Sequence, residues 1–242
     1  MSILDLIFPR QCLDCGKTGD YFCKECKKKL QPHMEICPSC HKYSTDYETC
    51  LDCRSNKSFV LDGILVPFSY SGPLKKIVLR LKYYHKKDVI DFAIDRVVLA
   101  IYANRILYNK METPQKSGQE GRVIVSGIPS HRYRRYFVKG YNQSYLLAKD
   151  LAKKLNIPYK NFMKKNKRTK SQASLDRVGR LKNLENAFEF KGDISFLDNT
   201  DTVILVDDIT TTGSTMNEVA KLIKNYFPRI SVRGVVLGRK DR

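Results

Sequence analysis

Residues 203–215, Val-Ile-Leu-Val-Asp-Asp-Ile-Thr-Thr-Thr-Gly-Ser-Thr, restrict the fold more than any other part of this 242-residue chain. Four consecutive apolar residues at 203–206 suit a strand buried on both faces, as in the middle of a parallel sheet. Asp207 and Asp208 follow it directly. Beyond the hydroxyl- and glycine-rich turn, Met216, Val219, Ala220 and Ile223 recur at helical spacing and predict an amphipathic helix. The unpaired N–H groups at such a helix start, with Gly213 allowing close approach and threonine hydroxyls alongside, make an anion cradle of phosphate size. Two carboxylates one step earlier repel a phosphate, so they must face another part of the ligand. Vicinal sugar hydroxyls, which donate to carboxylates, meet that demand. A ligand with a 5′-phosphate and free ribose hydroxyls satisfies both halves. The plainer alternative is a buried strand whose Thr/Gly turn caps an ordinary helix. A nucleoside-triphosphate P-loop is a weaker alternative still, because the Gly-Lys-Ser/Thr that reaches the outer phosphates is missing.

This run resembles the phosphoribosyl pyrophosphate (PRPP) signature of the type I phosphoribosyltransferases. The resemblance implies that Asp207 and Asp208 hold the ribose hydroxyls at the catalytic centre. It also implies that Thr211, Thr212, Gly213, Ser214 and Thr215 form the 5′-phosphate loop.

All eight cysteines lie between residues 12 and 53, in four Cys-x-x-Cys pairs: Cys12/Cys15, Cys23/Cys26, Cys37/Cys40 and Cys50/Cys53. A two-residue gap turns both sulfurs of a pair toward one tetrahedral ion. Disulfides compete for an even cysteine count, but nothing in the chain reads as an export signal and the cytosol is reducing, so metal is expected. Four pairs can form two four-ligand sites in three ways. Sequential grouping closes the shortest loops, of 7 and 9 residues, a preference of only about 0.6 kcal/mol per doubling of loop length. Two successive structural zinc ribbons are therefore expected. His33 and His41 read as surface residues.

The remaining segments read as an α/β body. Residues 61–70 suggest a strand, with Pro67 placing it at an edge. Gly72-Pro73 starts a helix with Leu74, Ile77, Val78 and Leu81 on one face. A second helix is expected over about 88–107, and the polar segment 109–121, with Pro114, reads as a loop. Residues 122–129 form the next buried strand, and Tyr141-Asn-Gln-Ser144 caps a helix carrying Leu146, Leu147, Leu151 and Leu155 on its inner face. Residues 160–182 read as a basic connection, and 230–237 as the last strand. The expected division is a zinc-ribbon module at 1–57 and an α/β domain at 58–242, with a hood-like part at 58–108 and a core at 122–242. The start, residues 1–8, reads as a packed helix and not a signal peptide. No apolar run approaches 18 residues, so no membrane span is expected. A cytoplasmic protein is the resulting expectation.

These middle segments carry a second resemblance. The Cys-x-x-Cys head, Gly72-Pro73 with Leu81-Lys82-Tyr83, Gly140-Tyr-Asn-Gln143, and Arg168-Thr with Gln172, Arg180 and Asn183 together resemble the ComF family of competence-associated phosphoribosyltransferase-like proteins. Lys139 departs from the family, which usually has arginine before Gly140. The family implies a type I phosphoribosyltransferase fold, a central parallel sheet flanked by helices, with PRPP and Mg²⁺ as ligands. In such folds the loop after the first core strand meets the pyrophosphate, which marks Arg132 and Arg135; a merely solvated basic loop is the alternative. By the same resemblance, residues 168–182 are a closing loop and a competence helicase of the DNA-uptake machinery is a partner. Two functions follow. One is a PRPP-binding role in DNA uptake and natural transformation. The other is an active transferase moving phosphoribose to an unidentified acceptor.

Charge adds its own argument. The formal net charge is +19; two zinc ions on eight thiolates would reduce it to about +15. Residues 131–182 hold 16 Lys/Arg against two acids, a net of +14. Cations mixed with Tyr133, Tyr136, Phe137, Tyr141 and Tyr145 suit single-stranded DNA, where phosphates meet charge and bases stack on rings. Lys164, Lys165, Lys167, Arg168 and Lys170 are the candidate contacts.

Overall fold

The structure, a computed structural model, describes residues 9–56, 59–83, 87–116, 123–130, 142–166 and 187–240. Its centre is a parallel sheet. β3 (Val123–Gly127), β6 (Thr202–Thr210) and β7 (Ser231–Arg239) lie side by side in that order, and the short β1 (Gly63–Leu65) and β2 (Phe68–Ser69) both pair with the outer side of β7. Val203, Ile204 and Leu205 are fully buried, as the unbroken apolar run demands. β6 is longer than the four residues expected. It carries both aspartates and stays paired to β7 as far as Thr210.

The connections leaving β3 and β6 diverge. From β3 the chain enters α6 (Gln143–Leu155) and returns at Tyr159, which bridges Val125 in parallel on the edge of β3 away from β6. From β6 it enters α7 (Ser214–Tyr226) and returns as β7 on the opposite side. The two helices cover opposite faces. Gly127, Val206 and Val235 are aligned across three strands, so they share a face. A Cβ on Gly127 would lie 2.6 Å from the Ser144 carbonyl oxygen, which places α6 there. A Cβ on Gly234, one residue along β7, would lie 2.4 Å from the Met216 sulfur of α7. The crevice between the carboxyl ends of β3 and β6 is thus a topological switch point, where ligands of open α/β sheets bind.

Three expectations for the body change. The helix expected over 88–107 is α4 (Lys87–Ala103), and it ends before Asn104. The segment 109–121, expected to be a loop, is helical as far as residue 116, within α5 (Arg105–Lys116). Asn104 explains both changes: its Oδ1 accepts the Leu107 N–H at 2.9 Å and so starts a new helix, while its Nδ2 donates to the Asp46 carbonyl. The connection 160–182 contains β4 (Met163–Lys165), antiparallel to β5 (Phe188–Phe190).

The cysteine-rich module closes the outer edge of the sheet. Pro32 and Glu48 form antiparallel bridges to Phe68 and Gly63. The Thr49, Ser69 and His33 N–H groups donate across this seam to Asp62, Gln31 and Pro67. The exposed edge that a short β1–β2 pair would leave is covered this way. α3 (Gly72–Tyr83) buries Leu74, Ile77, Val78 and Leu81, the four positions its spacing marks.

Candidate functional site

The acid pair sits at the carboxyl end of β6, beside the crevice. Asp207 Oδ1 accepts two hydrogen bonds, from the Ser144 hydroxyl at 2.6 Å and from the Asp208 N–H at 2.9 Å. Asp208 Oδ1 accepts the Ile209 N–H at 2.8 Å. These donors fix the two neighbouring carboxylates at the strand end.

The turn that follows is ordered by its own hydroxyls. The Gly213 N–H donates to Thr210 Oγ1 at 3.1 Å, and Thr212 Oγ1 and Ser214 Oγ lie 2.5 Å apart. Gly213 is the N-cap of α7 with φ +69°, a left-handed conformation that favours glycine. A Cβ there would lie 2.7 Å from Ile64 Cδ1 and 3.3 Å from the Phe59 ring. The glycine is therefore required by the packing of β1 as well as by its dihedral angle, which the motif alone does not reveal. Behind the loop, Asn217 is fully buried, and its Oδ1 accepts the Val60 and Leu61 N–H groups at 2.8 and 3.2 Å. The arrangement can hold an anion at the α7 start and hydroxyl donors at Asp207 and Asp208.

Of the expected site residues, the structure brings together Asp207, Asp208, Thr211, Thr212, Gly213, Ser214 and Thr215 on one strand end and helix start. Arg132, Arg135, Lys167, Arg168 and Lys170 lie outside the described residues, as do the expected closing loop at 168–182 and residues 1–8. Lys164 pairs with Glu189 across the antiparallel β4–β5 pair, and Lys165 Nζ lies 5.4 Å from the Phe188 ring centre. Ser144 was not among the expected site residues. Its only signal in the sequence is its place just after Asn142-Gln143.

The eight sulfurs gather in two groups, Cys12/Cys15/Cys23/Cys26 and Cys37/Cys40/Cys50/Cys53, with all ligand atoms of a group within 4.8 Å of one another. This is the sequential grouping. Cys15 Sγ lies 3.7 Å from Cys23 Sγ, and Cys40 Sγ lies 3.7 Å from Cys50 Sγ. A tetrahedral zinc with bonds of about 2.3 Å spaces its sulfurs by about 3.8 Å, so the tetrads fit that ion. Burial opposes ionisation of Cys12, but N–H donors of Cys15, Cys23 and Asp14 outweigh it and bring the thiol down to about 6. Cys26 is driven well above the ordinary thiol range by burial, Asp14 and the other three thiols. Four thiolates in so small a space need a cation, and these closed sites suit structural zinc. His33, expected at the surface, is buried and stands outside both tetrads: its Nδ1 lies 2.7 Å from the Met34 carbonyl oxygen.

The last strand also differs from expectation. Arg239, read as part of a tail after 237, belongs to β7 and is buried, with Nη2 2.6 Å from His41 Nε2. Among the described residues no helix is long and apolar enough to cross a membrane.

Comparison with known proteins agrees with this geometry. Residues 142–242 match the phosphoribosyl transferase domain, and residues 3–60 match the double zinc ribbon domain. Competence protein F of Haemophilus influenzae is 29% identical over 220 residues, which cover 88% of this chain and 83% of that protein. DNA utilization protein YhgH of Escherichia coli is 26% identical over 216 residues, 88% of each chain. Competence protein ComFC of Bacillus subtilis is 24% identical over 231 residues, covering 92% of this chain and 86% of that protein. The fold is the type I phosphoribosyltransferase fold with a small N-terminal zinc-ribbon module.

Proposed function

We propose that this chain, which belongs to the ComF family of phosphoribosyltransferase-like proteins, binds PRPP and serves DNA uptake, holding single-stranded DNA in the process. The observation that carries the PRPP reading is the switch-point crevice with Asp207 and Asp208 at the end of β6 and the hydroxyl-rich start of α7 beside them. In this reading the α7 start takes the 5′-phosphate and the acids take the ribose hydroxyls, with Arg132 and Arg135 toward the pyrophosphate. Mg²⁺ would be held mostly by ligand oxygens and water, a mode compatible with carboxylates already engaged by N–H and hydroxyl donors. When bound, it would neutralise the pyrophosphate charge. The DNA role is supported by relatives named for competence and DNA utilization.

Calorimetry with PRPP and Mg²⁺ tests the first half. Asp207→Asn combined with Asp208→Asn should abolish binding while the melting temperature stays near that of the wild type; unchanged affinity rejects the assignment. The transferase domain match keeps turnover as a second reading, and release of pyrophosphate on adding candidate acceptors marks it.

The DNA half is tested by salt. Engaging about four to six phosphates gives a slope of roughly −3 to −4 in log K against log salt for single strands. Because Lys164 and Lys165 already meet Glu189 and the Phe188 ring, Lys167→Gln with Lys170→Gln should flatten this slope more than Lys164→Gln with Lys165→Gln. A salt-independent affinity removes DNA from the reading.

A further inference from the structure

Ser144 lies 63 residues before Asp207 in the chain, is 6% exposed, and donates to Asp207 Oδ1 at 2.6 Å. Its position is set from three sides. Gly127 lets the start of α6 approach β3 so closely that a Cβ would meet the Ser144 carbonyl oxygen at 2.6 Å. Asn142 Nδ2 donates to the Ile128 carbonyl at 2.9 Å, and Asn142 Oδ1 accepts the Ser144 N–H at 3.1 Å. The first turn of α6 is thereby tied to the end of β3, and Ser144 is presented to the neighbouring strand.

The consequence falls on the rotation of the Asp207 carboxylate. The terminal torsion of aspartate is broad when nothing holds it. Here one oxygen takes both the Ser144 hydroxyl and the Asp208 N–H, and two donors on one oxygen define the plane of the group. A carboxylate held in one plane meets a pair of sugar hydroxyls without losing torsional freedom on binding. In the PRPP reading the phosphate end meets a different element, the start of α7.

We propose that Ser144 is a positioning residue that orients Asp207 and so confers recognition of the ribose hydroxyls, separately from recognition of the phosphate. This rests on the PRPP reading of the site. The ligand class it selects is a ribose phosphate with free hydroxyls over bare phosphate.

The test compares PRPP with Mg²⁺, by calorimetry, and inorganic phosphate, by ³¹P NMR titration, on the full chain. Ser144→Ala should weaken PRPP binding about tenfold or more, as expected for loss of a hydrogen bond to a charged group. Phosphate affinity should stay unchanged, and the melting temperature should fall only modestly, because the same hydrogen bond is lost from the unliganded fold. Ser144→Cys keeps the volume with a weak donor and should fall between Ser144→Ala and the wild type; it also serves if the alanine variant does not fold. Full PRPP affinity in Ser144→Ala, or an equal loss for PRPP and phosphate, overturns the proposal. If the wild-type chain itself does not bind PRPP, the underlying reading fails, and that arm identifies the cause.

Discussion

The two zinc ribbons have the same ligands and nearly the same spacing, yet they join the body differently. The first rests on helices through side chains. Phe22 stacks on Phe92 of α4 with ring centres 5.1 Å apart, Lys27 lies over the same ring, and Lys76 of α3 pairs with Asp14 at 2.8 Å. A cleft of about 340 Å³, lined by Arg10, Tyr21, Phe92 and Arg96 among others, lies at this contact. The second ribbon is joined through main chain and buried charge. The Thr49 hydroxyl and N–H donate to the Leu61 and Asp62 carbonyls, Glu48 pairs with the buried Arg233, and Arg239 reaches His41.

That seam continues into the candidate site. The Val60 and Leu61 N–H groups go to Asn217 of α7, Phe59 and Ile64 pack against Gly213, and Arg239 is the β7 partner of Thr210. The first ribbon is an attachment, whereas the second is part of the scaffold that shapes the hydroxyl-rich turn before α7. Identical metal chemistry can therefore serve two different structural ends, decided by what the knuckles touch.

Removing one tetrad at a time should break this comparison most sharply. Cys50→Ser with Cys53→Ser releases the second zinc and, with it, the Thr49 hydrogen bonds to the Leu61 and Asp62 carbonyls, which hold the segment that packs against Gly213. We expect a large fall in melting temperature and a loss of PRPP affinity of about tenfold or more, since buried hydrogen bonds and packing are lost together. Cys23→Ser with Cys26→Ser should release the first zinc and leave PRPP affinity within about threefold, because side-chain contacts at a surface couple weakly to a distant loop. Zinc content measured by metal analysis and affinity measured by calorimetry decide the matter. Equal losses from the two variants would show that both ribbons are scaffold.

How much of this was readable in advance depends on range. The strand, acid pair, turn and helix at 203–215 are local, and their order alone places them at one end of a parallel strand. The sulfur grouping is also local: Cys-x-x-Cys spacing makes the pairs, short loops favour the sequential choice mildly, and the two tetrads follow it. What escaped depends on partners far away in the chain. Ser144 reaches Asp207 only because Gly127 admits α6 to β3, and Asn104 starts α5 with a cap whose other end touches Asp46 in the second ribbon. Pro114 and the polar composition around it argued for a loop, but a cap and buried Leu107 outweigh them. Arg239 looked like a charged tail because nothing in its neighbourhood announces His41 as its partner.

The smallest effect concerns a lysine beside the second ribbon's attachment. Lys110 of α5 is half-buried, and that burial holds its pKa below the ordinary lysine value. Arg233 pushes it down further, while Asp62, Glu48 and Asp201 pull it back up without compensating fully. A lysine with a depressed folded pKa opposes folding when charged. The cost is fully present below the folded pKa and fades as pH rises toward the unfolded value of about 10.4. Lys110→Met keeps the length of the side chain and removes the charge. It should stabilise the protein at neutral pH by about 0.5 kcal/mol, the scale of partly exposed substitutions. The difference from wild type should shrink as pH approaches about 10, where the wild-type lysine loses its proton. Urea denaturation of both proteins at neutral and alkaline pH measures that difference directly, and common titrations elsewhere cancel in it. A destabilised variant at neutral pH would mean that the three acids outweigh burial and Arg233. The charged cluster at the second ribbon would then depend on Lys110, in contrast to the first ribbon, whose charge pairs lie at the surface.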